Sequence, residues 1–242
     1  QGYAYLAHED IGPGHPAQEH LDEVLKAIDR SATLIRQLLT FSRQEPFEPR
    51  SLDLNAQLEG TLKMVKRIIG EDIELTFRPA SGLPAVLADP IRIEQILMNL
   101  CVNARDAMPQ GGRITVETGQ SAYDEEDCLF QPWARPGQYV MLAVADTGMG
   151  MSPSVREHIF EPFFTTKKGG EGTGLGLATV YGLVQQHNGL IHVYSEPGLG
   201  TVLKVYLPTA QTASAAAPAQ QTQLIEPMGG HNEMILLAED DE

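Results

Sequence analysis

Two stretches decide the fold of this chain: Asp146-Thr147-Gly148-Met149-Gly150 and Gly172-Thr173-Gly174-Leu175-Gly176-Leu177. Glycine lets a backbone approach a ligand closely and takes positive φ at little cost. The second stretch opens a run with helical spacing, and the N–H groups at the start of a helix attract anions. It is therefore predicted to cradle phosphate, and the segment between the two stretches is predicted to form a loop over a bound nucleotide.

The composition is that of an acidic globular protein. With 242 residues, 42% of them hydrophobic, the chain can bury a real core. Its formal net charge of -15 repels nucleic acid and anionic membranes, so no nucleic-acid partner is expected. Cys101 and Cys128 form no C-x-x-C pair, which argues against zinc and a disulfide framework. The longest apolar run, Val140 to Ala145, is too short to cross a bilayer, and we expect the chain to be cytoplasmic.

The N-terminal part is predicted to be a helical hairpin, residues 1–47. An a/d seam of alternating four- and three-residue steps indicates a long helix over residues 17–45. The seam consists of Leu21, Leu25, Ile28, Ala32, Ile35, Leu39 and Ser42. A Gly-Pro-Gly-His-Pro break at residues 12–16 separates it from the end of an earlier helix in residues 1–10. The width of the apolar stripe favours a homodimer in which residues 17–45 form a four-helix bundle.

Residues 48–208 change to alternating strands and helices, which predicts an α/β sandwich and an α+β protein overall. Helices are expected from an N-cap at Asn55 to Gly70, over Pro90–Met108, and over Leu175–His187 with Gly189 as cap. Strands are expected near Ile73–Arg78, Ala85–Ala88, Arg113–Thr118, Tyr139–Asp146, Leu190–Ser195 and Thr201–Leu207. Residues 209–232, rich in Ala, Gln, Thr and Pro, are predicted to be a linker.

A polar stripe runs along the Pro90–Met108 helix. Asn99, Asn103 and Asp106 recur at i, i+4 and i+7, next to the apolar face. A solvated helix face is the simpler interpretation, but asparagine is a poor helix former, and two in mid-helix favour a function. One asparagine carbonyl beside a triphosphate is sufficient protein ligation for Mg²⁺.

Asp146 is a candidate for recognising adenine. It ends an apolar strand, where a carboxylate can accept a hydrogen bond from an exocyclic amine. The alternative is an Asx turn at the end of a strand. The glycines of 172–176 alone could likewise be a helix start without a ligand, but the two clusters in this order favour a nucleotide site.

The chain resembles the dimerisation and ATP-binding parts of sensor histidine kinases, the protein kinases of two-component signalling. Four ordered motifs between residues 17 and 207 carry the resemblance. Glu94–Ala107 looks like the N box, Asp146–Gly150 the first glycine box, Phe160–Lys167 the F box and Gly172–Leu177 the second glycine box. Gly198–Thr201 resembles a further short glycine box.

The resemblance implies ATP and Mg²⁺ as ligands, with Asn103 on the metal, Asp146 on adenine, and Asn99, Gly174 and Gly176 on phosphates. Phe160, Phe163 and Phe164 would anchor a lid that contains Thr166 and Lys167. The nucleotide-binding set is Asn99, Asn103, Asp146, Gly148, Gly150, Thr166, Lys167, Gly172, Thr173, Gly174, Leu175, Gly176 and Thr201. Asp106 departs from the pattern, because several family members have a lysine there.

Three functions remain open at this point. Gyrase-type ATPases use a helix glutamate to activate water, whereas this chain has Asn99, and an amide cannot serve as that base. A protein histidine kinase is therefore favoured over a gyrase-type ATPase. A non-catalytic, ATP-gated dimerisation module is the other alternative.

The resemblance also implies a phosphorelay from a histidine of the first hairpin helix to a receiver aspartate. His8 superficially matches the family's acceptor box but lies within about one turn of the Gly-Pro-Gly break. We therefore expect the acceptor before Gln1 and a fragment unable to phosphorylate itself. Residues 233–242 resemble the first strand and acidic pair of a truncated receiver, so the partner is expected to be a response regulator or the protein's own receiver. A longer parent protein has room for a membrane anchor.

Overall fold

The computed structural model describes residues 47–167 and 172–210, together with residues 15, 17, 18, 20–22, 24 and 25. Residues 17, 18, 20–22, 24 and 25 are helical. The rest of the predicted hairpin, its dimeric bundle, His8, the linker beyond residue 210 and the receiver-like residues 233–242 lie outside the described residues.

The described chain alternates strands with helices, as the sequence predicts. The strands are β1 Arg50–Leu52, β2 Ile73–Arg78, β3 Val86–Ala88, β4 Gly112–Tyr123, β5 Gly137–Asp146, β6 Leu190–Glu196 and β7 Gly200–Pro208. The helices are α1 Leu54–Ile69, α2 Pro90–Asp106, α3 Glu125–Phe130, α4 Pro153–Arg156 and α5 Gly176–Gln186.

Five of the strands form one mixed sheet in the order β2-β4-β5-β7-β6. Only the β2–β4 pair of this sheet is parallel, and α2 lies on the connection between these two strands. β1 and β3 pair separately, and a single bridge from Val86 to Thr209 ties β3 to the end of β7. Thr209 is buried and donates its N–H to the Gln138 carbonyl at 3.1 Å.

The core lies between one face of the sheet and the helices α1, α2 and α5. Alternate residues of β5 point into it, as expected for a sheet with one face covered by helices. Fully buried members include Leu58 and Val65 of α1, Ile93, Ile96, Leu97 and Leu100 of α2, Val180 and Val184 of α5, and Val116, Leu142 and Val205 of the sheet. This two-layer arrangement confirms the predicted α/β sandwich.

The opposite face of the sheet is partly covered by the chain between β4 and β5. This acidic stretch contains α3 and the Trp133 side chain. Trp133 stacks on Tyr206 and His192, with ring centroids 5.3 and 4.5 Å apart. A second, aromatic cluster with Tyr123 and Tyr139 therefore closes this face.

Two predicted caps are wrong. Asp53, not Asn55, is the N-cap of α1, and its carboxylate accepts a hydrogen bond from the Ala56 N–H. Asn55 instead bonds the Ala80 carbonyl through Nδ2, at 2.8 Å. The cap of α5 is His187 rather than Gly189, and Asn188 after it takes the left-handed conformation (φ 52°). No helix in the described part of the chain is long and apolar enough to span a bilayer.

Candidate nucleotide-binding site

Helix α2 supplies one wall of the site. Its start is fixed by Asp89, whose carboxylate accepts the Ile91 N–H at 2.9 Å, and by Pro90 in the first turn. Because Ile96, Leu97 and Leu100 are buried against the sheet, the polar stripe of Asn99, Asn103 and Asp106 is turned toward α5 and the loop that precedes it. The structure thus brings the three predicted stripe residues to one cavity.

The closed end of the site is a cavity of about 250 Å³ between α2 and the sheet. Its walls are largely apolar, and Asp146 and Thr201 stand at its sheet side. The predicted residues that line it are Asn103, Asp146, Gly150, Thr166, Lys167 and Thr201. An apolar slot with one carboxylate suits a flat heteroaromatic ring that carries a hydrogen-bond donor at its edge.

Asp146 is held in place by backbone groups. Its Oδ1 accepts the Gly148 N–H at 2.8 Å, and the carboxylate also accepts the Thr201 N–H. Burial raises the pKa of Asp146 above its usual value, and the two N–H donors offset part of that shift. The bond from the Gly148 N–H is the Asx-turn contact given above as the alternative interpretation of Asp146. Asp146 makes this contact and also lines the cavity.

The first glycine stretch packs against protein backbone. A Cβ on Gly150 would lie 1.9 Å from the Glu196 carbonyl oxygen, and Gly150 has a φ of 64°. A Cβ on Gly148 would lie 2.6 Å from the Ala107 carbonyl oxygen. These contacts seat the loop against the β6–β7 turn and the end of α2, so both glycines shape the cavity through close packing.

The open end of the site is a second cavity of about 350 Å³, between α2, the N-terminus of α5 and the loop before it. The predicted residues that line it are Asn99, Asn103, Thr166, Lys167, Gly172, Thr173, Gly174 and Gly176. The two cavities share Asn103, Thr166 and Lys167, so they form one continuous site. Gly148 and Leu175 line neither cavity.

The F-box segment is joined to the second glycine stretch by backbone. The Phe163 N–H donates to the Gly174 carbonyl at 3.0 Å, and both residues have positive φ, 67° and 64°. A Cβ on Gly174 would lie 2.3 Å from the Phe163 carbonyl carbon. The Phe163 side chain is 64% exposed, so its predicted anchoring by side-chain packing is wrong. Phe160, which the resemblance also implies as an anchor, does pack against the core and the Tyr181 ring.

Asn103 lies where the two cavities meet. Its Nδ2 is buried and, among the described residues, has no hydrogen-bond partner. A Cβ on Gly176 would lie 3.2 Å from this nitrogen, so α5 approaches the amide closely. Buried polar groups are nearly always paired, so an amide nitrogen without a protein partner beside a cavity is available to a ligand. An amide that offers a donor and an acceptor suits phosphate oxygens and a hydrated Mg²⁺ ion.

The cation that faces the site is held by a carboxylate of α2. Lys167 Nζ donates a hydrogen bond to Asp106 Oδ2. Arg105 donates to Oδ1 from Nε and Nη2, at 2.9 and 2.6 Å. Partial burial alone would raise the pKa of Asp106, but the bonds from Lys167 and Arg105 outweigh it, and the pKa is lowered. Asp106 is therefore an ionised member of the site wall.

The apolar residues that line the site were not predicted as site residues from the sequence. They include Leu100, Ala104, Val144, Met149, Met151, Val155, Ile159, Leu177 and Leu203. In sequence those on α2, β5 and β7 share the spacing of ordinary core positions, whereas Met149 and Met151 lie in a loop. Only the placement of α2 against β5 and β7 distinguishes a wall residue from a core residue.

Comparison with known proteins identifies the family to which this site belongs. Residues 88–211 match the family described as Histidine kinase-, DNA gyrase B-, and HSP90-like ATPase. Sensor kinase CckA of Brucella abortus is 40% identical over 232 residues, covering 93% of this chain and 25% of the relative. Sensor histidine kinase ZraS of Escherichia coli is 33% identical over 209 residues, covering 86% of this chain and 41% of that protein.

Among solved structures, full-length ShkA in complex with AMPPNP aligns with a TM-score of 0.61 at 28% identity, over 86% of this chain and 42% of ShkA. The chain thus spans between 25% and 42% of the length of these three proteins. The family match, the relatives and the sandwich fold with its site between α2 and α5 all indicate the same family. The chain belongs to the histidine kinase-, DNA gyrase B- and HSP90-like ATPase family, and it carries the ATPase domain of a sensor histidine kinase.

Proposed function

We propose that this chain binds ATP with Mg²⁺ and transfers the γ-phosphoryl group to a histidine of a dimerisation helix, from which it passes to a receiver aspartate. The observation that carries the proposal is the buried amide nitrogen of Asn103, which has no hydrogen-bond partner in the described part of the chain and lies at the junction of the two cavities. The apolar slot with Asp146 lies on one side of this amide, and the start of α5 lies on the other. A purine nucleotide with a phosphate chain matches that order of environments.

The adenine ring would occupy the closed cavity. Leu100, Ala104, Val144 and Leu203 offer apolar surface to both faces and edges of a ring, and Asp146 accepts a hydrogen bond from its exocyclic amine. The Gly148 and Thr201 N–H groups fix the carboxylate before any ligand arrives. This end would therefore contribute orientation as well as affinity.

The phosphate chain would lie in the open cavity. The Gly176 end of α5 presents backbone N–H groups and the positive end of the helix dipole. Asn103 would hold Mg²⁺, and Asn99, one turn away on the same wall, would contact the phosphates. When bound, the ion neutralises charge on the phosphates and so eases transfer. In the transfer step the acceptor imidazole nitrogen forms a bond to the γ-phosphorus while the bond to the bridging oxygen breaks and ADP leaves.

Asn99 supports phosphoryl transfer to protein over hydrolysis. It lines the open cavity at the place from which a gyrase-type enzyme would activate water, and an amide does not accept that proton. Slow hydrolysis preserves the γ-phosphoryl group for a protein nucleophile. The proposed partners are a second copy of the chain, through residues 17–45, and a response regulator or a receiver of the same protein. The proposed location is the cytoplasm, where ATP is available.

The test is phosphoryl transfer in trans. The full chain is incubated with Mg²⁺, γ-labelled ATP and a separate dimerisation hairpin from the Brucella abortus relative, and acid-labile label is mapped by residue. We expect label on the hairpin histidine, none on His8, and little free phosphate. ATP binding without transfer would favour the non-catalytic module. Steady phosphate release would favour the ATPase, and stable label on His8 would contradict the expected inability of the chain to label itself.

A further inference from the structure

Asp106 lines both cavities but has no part in the binding scheme above. It lies one turn beyond Asn103 on the same stripe of α2. Lys167 is the only lysine or arginine among the described residues that line the two cavities, and its ammonium group is bound to this carboxylate. The cation best placed to bind phosphate thus has a protein anion as its partner.

The carboxylate keeps a second cation when this pair separates. Oδ1 is held by Arg105, whose Nη1 also donates to the Ile68 carbonyl at 3.3 Å, and only Oδ2 faces Lys167. Loss of Lys167 therefore leaves Asp106 ion-paired. The Lys167 side chain is 35% exposed and that of Asp106 23%, and ion pairs of such exposure are easily exchanged. A multiply charged phosphate chain is the stronger partner for a lysine.

We propose that Asp106 is a positioning residue that holds Lys167 beside the site and competes with phosphate for it. The proposal rests on the proposed ATP site. Binding of a phosphate chain transfers the Lys167 ammonium group from Asp106 to the phosphates, while Arg105 stays on Asp106. The carboxylate also repels phosphate directly. Asp106 therefore lowers affinity in proportion to ligand charge, and it determines how strongly the site distinguishes ATP from ADP and adenosine.

The first test is the Asp106→Asn variant, which keeps the shape of the side chain and an acceptor for Arg105. Calorimetry with ATP, ADP and adenosine in the presence of Mg²⁺ is run on the full chain. We expect ATP affinity to rise about three- to tenfold, ADP affinity to rise less, and adenosine affinity to stay unchanged. Unchanged adenosine binding also shows that the variant is folded. Unchanged or weaker ATP binding, or an equal change for adenosine, would overturn the proposal.

The matched control is Glu117→Gln, which removes a carboxylate that pairs with Arg78 on the sheet, outside both cavities. It should leave the affinity for all three ligands unchanged. An equal rise in ATP affinity would mean that net charge alone explains the Asp106 result and would count against the proposal. If the unmodified chain binds no adenine nucleotide, the proposed function itself is wrong. That result differs from a failure of the Asp106 proposal, in which the unmodified chain binds ATP but the variant shows no gain.

The second test asks whether Lys167 is the group that moves. Asp106→Asn is combined with Lys167→Met, and the two single variants complete a double-mutant cycle on ATP affinity. We expect the gain from Asp106→Asn to shrink by at least half when Lys167 is absent. A gain of the same size in both backgrounds would overturn the exchange of partners.

Discussion

The proposed nucleotide site has an adenine end, which is the closed cavity, and a phosphate end, which is the open cavity, and the two are built in different ways. At the adenine end, Asp146 already accepts two backbone N–H groups, and Gly150 is packed against the β6–β7 turn. At the phosphate end, Asn103 has a buried amide nitrogen without a partner among the described residues, and Lys167 is bound to Asp106. At the adenine end, the polar group is positioned by backbone contacts within the protein. At the phosphate end, the polar groups gain or change partners when a ligand binds.

Under the proposed function, this difference separates binding of the base from binding of the phosphates. An end whose polar groups are already bonded loses little conformational freedom on binding, so it can orient the base. An end whose lysine changes partners responds to the phosphates that arrive. We therefore expect changes at the adenine end to affect the fold and all adenine ligands alike, and changes at the phosphate end to affect binding according to phosphate number.

The largest effect is expected at the adenine end, from Gly150→Ala. A Cβ there would overlap the Glu196 carbonyl oxygen at 1.9 Å, and the φ of 64° is unfavourable for alanine. The free energy of unfolding in urea should fall by about 3 kcal/mol or more. The control is Gly198→Ala, which has a φ of 80° but nothing within 4 Å and should cost about 1 kcal/mol. Equal costs for the two variants would refute tight packing of the loop.

The next effect concerns His187, which joins the two helices that flank both ends of the site. Its Nε2 accepts the Asp89 N–H at 3.1 Å, and Nδ1 bonds the Leu183 carbonyl at 2.8 Å. His187→Gln should therefore lower the free energy of unfolding by about 2 kcal/mol near neutral pH. Chemical denaturation of the full chain measures this difference.

The same residue predicts a pH dependence with a definite sign. Burial lowers the pKa of His187, although the Leu183 carbonyl and Asp89 act in the opposite direction. The unfolded chain then binds a proton more readily than the folded chain. The stabilising contribution is complete above the unfolded pKa of about 6.5 and is lost as the pH falls toward the folded pKa. The gap between wild type and His187→Gln should narrow with acid; a constant gap would contradict a buried neutral imidazole.

Gly174→Ala, at the phosphate end, should have a smaller effect on stability. Its Cβ would press on the Phe163 backbone at 2.3 Å, but a loop can relieve such strain by opening locally. We expect about tenfold weaker ATP binding, unchanged adenosine binding, and a loss of less than about 1 kcal/mol in the free energy of unfolding. A loss as large as that of Gly150→Ala would mean that both ends are equally part of the fold.

Much of this site could be predicted from local sequence, and the remainder depends on contacts between distant residues. The stripe of Asn99 and Asn103 and the strand before Asp146 follow from helical and strand periodicity, and both were found. The partners of the glycines were missed, because Gly150 meets Glu196 and Gly174 meets Phe163 only in the folded chain.

Asp106 shows the same limit most clearly. In sequence it is one more polar residue on a helix, and its departure from the lysine of several family members made a phosphate contact doubtful. Its partner Lys167 lies 61 residues away, so no local pattern reveals the pair. Loops that carry function are placed by the scaffold, and their ion pairs become visible only with the tertiary structure.

The most direct measurement is calorimetry of ATP and adenosine binding, with Mg²⁺, to the full chain and to Asp146→Asn. The account predicts that the unmodified chain takes up ATP and that the substitution weakens ATP and adenosine equally, by about 1 to 3 kcal/mol, through a mismatched buried hydrogen bond. No uptake of ATP by folded protein, or unchanged affinity in the variant, would contradict it.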